Sequence, residues 1–230
     1  MATPLLILGT GGFARETAAA VRADPEQPWT LVGFLDDDPA RHGQLLGGTS
    51  VLGPTEAVVD HPSASVAVCT GNPRDQASRF RIVHRLGLEP ERFATIVHPS
   101  VSLGDGTSVG PGSVLLAHTV TTCDVQIGAH VACMPHLTLT HDDVVADFAT
   151  LASGARLGGS AHVGVGAYLG SGCLLREGVT IGDWSLVGAG SLVLTDIPDR
   201  CVAYGHPARV IRPSHPRLDP TPHPASQETP

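Results

Sequence analysis

The sequence predicts a small α/β domain followed by an all-β parallel β-helix, and three observations support this prediction. An aliphatic residue recurs every six positions through the second half of the chain, a period typical of a parallel β-helix. Strand and helix patterns alternate through residues 1–95, as they do in α/β domains. Glycine contributes 27 residues and aromatic residues only 4% of the chain, so we expect a closely stacked aliphatic core and not a helical bundle.

The N-terminal part contains three predicted strands and two predicted helices. The strands are Leu5–Leu8, Trp29–Leu35 and Ser65–Cys69, and the helices lie near Phe13–Ala23 and Asp75–Leu86. This arrangement predicts a Rossmann-like parallel sheet that has half the size of a dinucleotide-binding domain. We therefore expect this domain to bind one nucleotide.

The repeat runs from Val97 to Pro198 as seventeen six-residue units without an insertion. Fifteen units begin with an aliphatic residue, while Thr121 and Cys133 begin the other two. Three units form one triangular coil of about 18 residues, with the first residue of each unit pointing inward. Because a β-sandwich would show two-residue alternation and irregular turns, the period favours a β-helix over residues 96–212. Residues 213–230 carry six prolines, and we expect this tail to be disordered.

Composition limits the possible functions and surroundings of the protein. Fourteen arginines and no lysine oppose 22 acidic residues, and the resulting net charge of −8 argues against nucleic acid as a partner. The five cysteines are widely spaced and form no CxxC pair, so we expect reduced thiols without disulfides or structural zinc. The N-terminal apolar stretch lacks a basic flank and meets Gly9 at once, so we expect a cytoplasmic protein without a signal peptide or membrane span.

A glycine-rich turn between the first strand and the first helix is one candidate site. Glycines let a phosphate approach the backbone, and the helix N-terminus supplies N–H donors. An acidic residue at the end of the second strand can accept a hydrogen bond from a ribose hydroxyl, and the third strand ends at the same sheet edge. The alternative is a purely structural tight turn. The candidate residues are Gly9, Gly11, Gly12, Phe13, Asp36, Asp37, Gly71 and Asn72.

His141 is a second candidate, because the third place of a six-residue unit lies near a corner of the prism and outside its core. Imidazole is a natural general base near neutral pH, and the neighbouring Asp142 can orient it. One coil later the stacked position is Gly159, whose backbone N–H can stabilise an oxyanion. The alternative is a solvated surface histidine beside two acidic residues.

A third arrangement concerns a possible metal site. His136 follows His118 by one coil of 18 residues, and His141 comes five residues later. Imidazoles stacked on successive coils can bind a metal ion, but the column continues with Gly154. We therefore favour structural or solvent-exposed roles for these histidines and expect no metal.

Residues 5–212 resemble the NeuD/PglD-type sugar acetyltransferases of the left-handed β-helix superfamily. This group includes N-acetyltransferases of UDP-linked amino sugars and O-acetyltransferases of sialic acid. The unbroken six-residue repeat and the order of the motifs carry the resemblance. The matching motifs are Leu8–Glu16, Phe34–Asp38, Val97–Ser100, His141–Asp142, Val145–Phe148 and Gly205–Arg209.

The resemblance implies a homotrimer in which acetyl-CoA lies along the β-helix between neighbouring subunits. The N-terminal domain of such enzymes holds the nucleotide of a nucleotide-linked sugar. The family's catalytic base falls on His141, its acidic partner on Asp142 and its oxyanion-stabilising amide on Gly159. Backbone groups near Ser171 and Ala189 are expected along the pantetheine arm of acetyl-CoA. The acetyl group then passes directly to the acceptor, without an acetyl-enzyme.

Three positions on the acceptor side depart from the family pattern. Members that act on UDP-linked amino sugars commonly have histidine in place of Phe13, asparagine in place of Met134 and sometimes histidine in place of Thr150. The nucleotide and the accepting group are therefore open, although N-acetylation of an amino sugar is favoured over O-acetylation.

Two alternatives belong to other functional classes. The γ-class carbonic anhydrases share the β-helix, and His136 and His141 have the spacing of part of their metal site, but Ser100 occupies the place of a further histidine. The second alternative is a non-catalytic trimer that binds sugar nucleotides.

Overall fold

The computed structural model describes residues 2–24 and 26–219. Its N-terminal part is a five-stranded sheet with the strand order β3-β4-β2-β1-β5. The strands are β1 (Thr3–Leu8), β2 (Trp29–Leu35), β3 (Leu45–Leu46), β4 (Thr49–Gly53) and β5 (Ser65–Val68). The helices are α1 (Gly12–Ala23) and α2 (Ser78–Leu86), with short 3-10 helices at Pro39–Arg41, Thr55–Asp60 and Pro90–Arg92.

The sheet is parallel except for the antiparallel pairing of β3 with β4. All four residues from Leu5 to Leu8 in β1, which lies between β2 and β5, are fully buried, as expected for a parallel strand that is covered on both faces. The predicted strands and helices are present, whereas β3 and β4 were not predicted. Strand β3 has only two residues and pairs through a tight glycine turn, which leaves little apolar pattern in the sequence.

The C-terminal part is a β-helix of two-residue parallel strands on three faces. Ladder partners within a face are 18 residues apart, for example Gln126 and Val144. Face I contains Ile96–Val97, Val114–Leu115, Ala132–Cys133, Thr150–Leu151, Tyr168–Leu169 and Leu186–Val187. Face II contains Val120–Thr121, Thr138–Leu139, Arg156–Leu157, Leu174–Leu175 and Leu192–Val193. Face III contains Ser108–Val109, Gln126–Ile127, Val144–Val145, His162–Val163 and Thr180–Ile181.

The second residue of each of these strands points into the prism, as the six-residue period predicts. Thr121 and Cys133, which interrupt the aliphatic series, are also buried at the inward position. Leu103 differs, because 45% of its surface is exposed. It lies in the first coil, where no preceding coil covers the open end of the prism.

A C-terminal hairpin, Cys201–Gly205 with Ala208–Pro213, extends face I beyond its last two-residue strand. The following residues lie against the body of the protein. Ser214 is buried and its N–H donates to the carbonyl oxygen of Arg200, while Arg81 donates to the carbonyl oxygen of Arg217. Disorder was expected for residues 213–230; the structure describes residues 213–219 of this segment, whereas residues 220–230 lie outside the described residues.

The outer side of face I packs against the N-terminal part, where helix α1 contacts the strand Ile96–Val97. Val114 and Leu116 belong to the same apolar cluster as Leu5 and Ile7. Rings also join the two parts at the corner between faces III and I, where Phe80 of α2 meets Phe148 edge-on at a centroid distance of 5.2 Å. Within the described ranges, neither α1 nor α2 nor any shorter helix has the length and apolarity needed to span a membrane.

Candidate functional site

His141 lies in the turn that joins faces II and III, between Thr138–Leu139 and Val144–Val145. Its Nδ1 atom is 2.8 Å from Oδ2 of Asp142, and each of the two side chains is 61% exposed. Asp142 has a positive φ of 62°, the left-handed conformation of this corner. When Nδ1 donates to the carboxylate, a neutral imidazole leaves Nε2 free to accept a proton from a bound molecule.

Gly159 lies one coil below His141, as the 18-residue period predicts. A Cβ atom at Gly159 would be only 2.3 Å from Nε2 of His141, so a side chain at this position would collide with the imidazole. The two turns are held in register by a hydrogen bond of 2.8 Å from the Ser160 N–H to the His141 carbonyl oxygen. Among the described residues the Gly159 N–H has no acceptor, so it is available to an oxyanion beside the ring.

Asp143, the next residue after Asp142, has a different environment. Its side chain is fully buried, and its carboxylate accepts hydrogen bonds from the N–H groups of Thr140 and Ala161. In the sequence it stands out only as a second acidic neighbour of the histidine. The sequence nonetheless marks Asp143 as unusual, because it occupies an inward position of the repeat. The equivalent residues are Val125 one coil earlier and Ala161 one coil later.

The glycine-rich turn borders a cavity of about 350 Å³ at the carboxyl edge of the N-terminal sheet. Gly9 has a φ of 101°, and a Cβ atom there would be 2.9 Å from the Cys69 carbonyl oxygen, so this turn requires glycine. Helix α1 begins at Gly12 and directs its N-terminal N–H groups to this edge. The predicted residues that line the cavity are Gly9, Gly11, Gly12, Phe13, Asp36, Gly71 and Asn72.

The two acidic residues at the end of β2 have different surroundings. Asp36 lines the cavity and accepts a hydrogen bond of 2.6 Å from Oγ1 of Thr10, which the sequence argument did not single out. Asp37 does not line it, because its carboxylate accepts from the N–H and Oγ1 of Thr55 and pairs with Arg85 at 2.7 Å. Burial works to raise the pKa of Asp37, but the Thr55 hydrogen bonds and the Arg85 charge outweigh it and lower the pKa.

A second cavity, of about 170 Å³, lies between the N-terminal domain and the corner that joins faces I and II. Phe13 and Gly71 border this cavity as well as the first, and Met134 and Ser171 line it from the β-helix. Arg79, which sequence reasoning missed, also reaches it. Ala189 lies one coil after Ser171 on the same corner and lines neither cavity.

Most of the predicted site residues thus form two groups within one chain, and Asp37 and Ala189 belong to neither. The first group, around the two cavities, includes Phe13, Asp36, Gly71 and Met134. His141, Asp142 and Gly159 lie on a different corner of the prism and line neither cavity.

The histidine column is present, but it does not form a metal cluster. The rings of His118 and His136 stack with a centroid distance of 4.8 Å, at the corner between faces I and II. His141 lies on the next corner. In the ranges 2–24 and 26–219, no group of three or more His, Cys, Asp or Glu side chains is arranged to hold a metal ion.

Comparisons of the sequence point to sugar acetyltransferases. No protein-family model matches the chain. A GDP-perosamine N-acetyltransferase from Escherichia coli O157:H7 is 28% identical over 158 residues, which cover 65% of this chain and 67% of that protein.

Solved structures of sugar acetyltransferases are similar to this chain over a larger part of its length. A variant of perosamine N-acetyltransferase from Caulobacter crescentus, in complex with CoA and GDP-perosamine, is 27% identical with a TM-score of 0.81. The match covers 91% of this chain and 97% of that one. The acetyltransferase domain of PglB from Neisseria gonorrhoeae FA1090 is 25% identical with a TM-score of 0.80, over 91% of this chain and all of the domain.

Proposed function

The chain is an acyltransferase that resembles the NeuD/PglD-type sugar acetyltransferases, and on this basis we propose that it acetylates the amine of a nucleotide-linked amino sugar. Acetyl-CoA is the co-substrate. The observation that carries the proposal is the arrangement of His141 with Nδ1 against Asp142 and Nε2 directly above Gly159.

We assign the transfer step to these three residues. Nε2 of His141 accepts a proton as the sugar amine forms its bond to the thioester carbonyl carbon. The carbonyl oxygen becomes an oxyanion, which the Gly159 N–H stabilises. The C–S bond then breaks, the CoA sulfur leaves as a thiolate, and the proton on His141 neutralises it. Asp142 keeps the imidazole oriented during the step.

Residues 1–95 are the proposed acceptor domain, a Rossmann-like unit that binds the nucleotide. Support comes from the cavity at the carboxyl edge of a parallel sheet, where the N-terminal N–H groups of α1 suit a diphosphate. Asp36 has lone pairs left beside Thr10 for a ribose hydroxyl. Phe13 and Met134 border the neighbouring cavity and give it an apolar lining on the sugar side.

Residues 96–212 are the proposed acyl-transfer domain, a left-handed β-helix that acts as a homotrimer. One chain presents the nucleotide cavities on one corner and His141 on another. A threefold assembly would place the His141 corner of one subunit beside the cavities of its neighbour. Acetyl-CoA would then lie between subunits, against backbone groups near Ser171 and Ala189.

The test measures CoA thiol release from acetyl-CoA with UDP-, dTDP- and GDP-linked amino sugars and with sialic acid as acceptors. We expect turnover with one nucleotide-linked amino sugar and a loss of about 100-fold or more in His141→Ala. His162→Ala, which removes another exposed histidine of the prism, is the matched control and should retain activity. Turnover of His141→Ala at the wild-type rate would refute the proposed base, and turnover with sialic acid alone would indicate O-acetylation.

A further inference from the structure

Asp143 occupies an inward column of the prism in which the neighbouring residues are apolar. The residues one coil before, one coil after and two coils after it are Val125, Ala161 and Val179. All four side chains in this column are at most 1% exposed. Burial raises the pKa of Asp143 to about 6, against its backbone hydrogen bonds and the nearby His141. A carboxyl group in this position is costly, since an aliphatic side chain would fit the column.

The two carboxylate oxygens of Asp143 bind different parts of the site. Oδ1 accepts a hydrogen bond of 2.8 Å from the N–H of Ala161, two residues beyond Gly159. Oδ2 accepts one of 2.7 Å from the N–H of Thr140, immediately before His141. The side chain therefore closes the turn that carries His141 and ties it to the coil that carries Gly159.

Serines at the equivalent inward place of another corner show what the fold alone requires. Ser113 Oγ accepts from the N–H of Val131, 18 residues later, just as Asp143 does from Ala161. Ser185 Oγ likewise accepts from the N–H of Cys201. A hydroxyl is thus sufficient to satisfy the amide of the next coil. The second oxygen of Asp143, which reaches back to Thr140, is the additional feature at the His141 corner.

We propose that Asp143 is a positioning residue for the transfer step, which fixes the His141 imidazole relative to the Gly159 N–H through its hydrogen bond to Thr140. This inference rests on the proposed function of His141. The imidazole is 61% exposed, so the closed turn that carries it, together with its contact to Asp142, sets its place. A small displacement of the base from the reacting atoms costs transfer rate and leaves the binding of acetyl-CoA intact.

Asp143→Ser tests the inference, because serine retains an acceptor for Ala161 and loses the one for Thr140. We expect a folded protein in which kcat falls by about 10- to 100-fold while KM for acetyl-CoA changes less than about threefold. Hydrogen exchange of the Thr140 amide should accelerate by about 10-fold or more, with the Ala161 amide still protected. Ser113→Ala, which removes an inward hydrogen bond far from His141, should leave kcat within about twofold.

Three outcomes decide whether Asp143 positions His141. A folded Asp143→Ser protein with wild-type kcat, or with unchanged exchange at Thr140, overturns the inference. If that variant does not fold, Asp143→Thr replaces it, because its hydroxyl likewise retains one acceptor for Ala161 and loses the one for Thr140. Wild-type kcat in this variant overturns the inference equally. His141→Ala is measured in parallel. If His141→Ala retains full activity, the proposed function fails. If His141→Ala loses activity while Asp143→Ser retains it, only the role of Asp143 is refuted.

Discussion

Nε of Arg79 lies 2.7 Å from the carbonyl oxygen of His130 and joins helix α2 to the β-helix. The same guanidinium donates to the carbonyl oxygens of Thr70, Phe148 and Ala149 and to Oγ1 of Thr150. It is 2% exposed, and burial lowers its pKa to about 10, which still leaves it protonated at neutral pH. One arginine thus satisfies backbone acceptors of both domains.

Replacing Arg79 with methionine should therefore destabilise the joint between the domains. Methionine fills much of the volume but leaves several buried carbonyl oxygens without a donor, which should cost about 3 kcal/mol or more. Urea denaturation of the purified protein measures the free energy of unfolding. Arg15→Met, at an exposed position of α1, should change it by less than about 0.5 kcal/mol. Equal stability of both variants would contradict this account.

Ile181→Asp should prevent folding of the β-helix. Ile181 points into the prism and is fully buried, so the substitution places an unpaired carboxylate among aliphatic side chains. Circular dichroism and size-exclusion chromatography would show loss of the folded protein. His162→Asp, at an exposed outward position of the same face, is the control and should fold. A folded Ile181→Asp protein with the melting temperature of the wild type would show that the assignment of Ile181 to an inward position is wrong.

Asp36→Ala and Asp37→Ala should have different effects, although the sequence argument grouped them. Asp36 borders the cavity that we propose for the nucleotide, so its loss should raise KM for the acceptor by about 10-fold and leave KM for acetyl-CoA unchanged. Asp37 binds Thr55 and Arg85, so its loss should lower stability without a comparable change in KM. Because the folded-state pKa of Asp37 is lowered, its stabilising contribution is present above its ordinary pKa and is lost as the pH falls. A tenfold rise in acceptor KM in Asp37→Ala alone would reverse this assignment.

Asp143 should make the protein less stable as the pH rises. Its pKa is about 6 in the folded protein, above its ordinary value of 3.8, so the folded state binds more protons between these values. Relative to Asp143→Ser, the wild type should therefore lose about 2 kcal/mol of stability between pH 4.5 and pH 8. Denaturation of both proteins at the two pH values measures this difference. A constant difference would show that the buried carboxyl does not titrate in this range.

Mixed assemblies test whether the site is shared between subunits. His141→Ala and Met134→Arg alter opposite groups of the proposed site, and each variant alone should be inactive. Co-expression would combine an unmodified His141 corner with an unmodified cavity in about one quarter of the sites of randomly mixed trimers. Activity at this level supports the shared site. No activity from the mixed protein, confirmed as a mixture by mass spectrometry, would show that one chain supplies both groups.

The β-helix was predictable because each inward position depends only on its place in a local six-residue period. Contacts between distant segments were not. Four of the five acceptors of Arg79 lie 51 to 71 residues away, and nothing in its local sequence distinguishes it from Arg81. The different roles of Asp36 and Asp37 likewise depend on where the Thr55 turn lies. Asp143 was detectable in principle, since a carboxylate stands in a column of aliphatic residues.

The 18-residue register also constrains how this chain can change in length. His141 lies over Gly159 only because the intervening segment makes one full coil. An insertion of one or two residues there would turn inward side chains outward and move the glycine from beneath the imidazole. Insertions and deletions that keep the site should therefore comprise whole coils and lie outside the segment from His141 to Gly159. The length of that segment should stay constant.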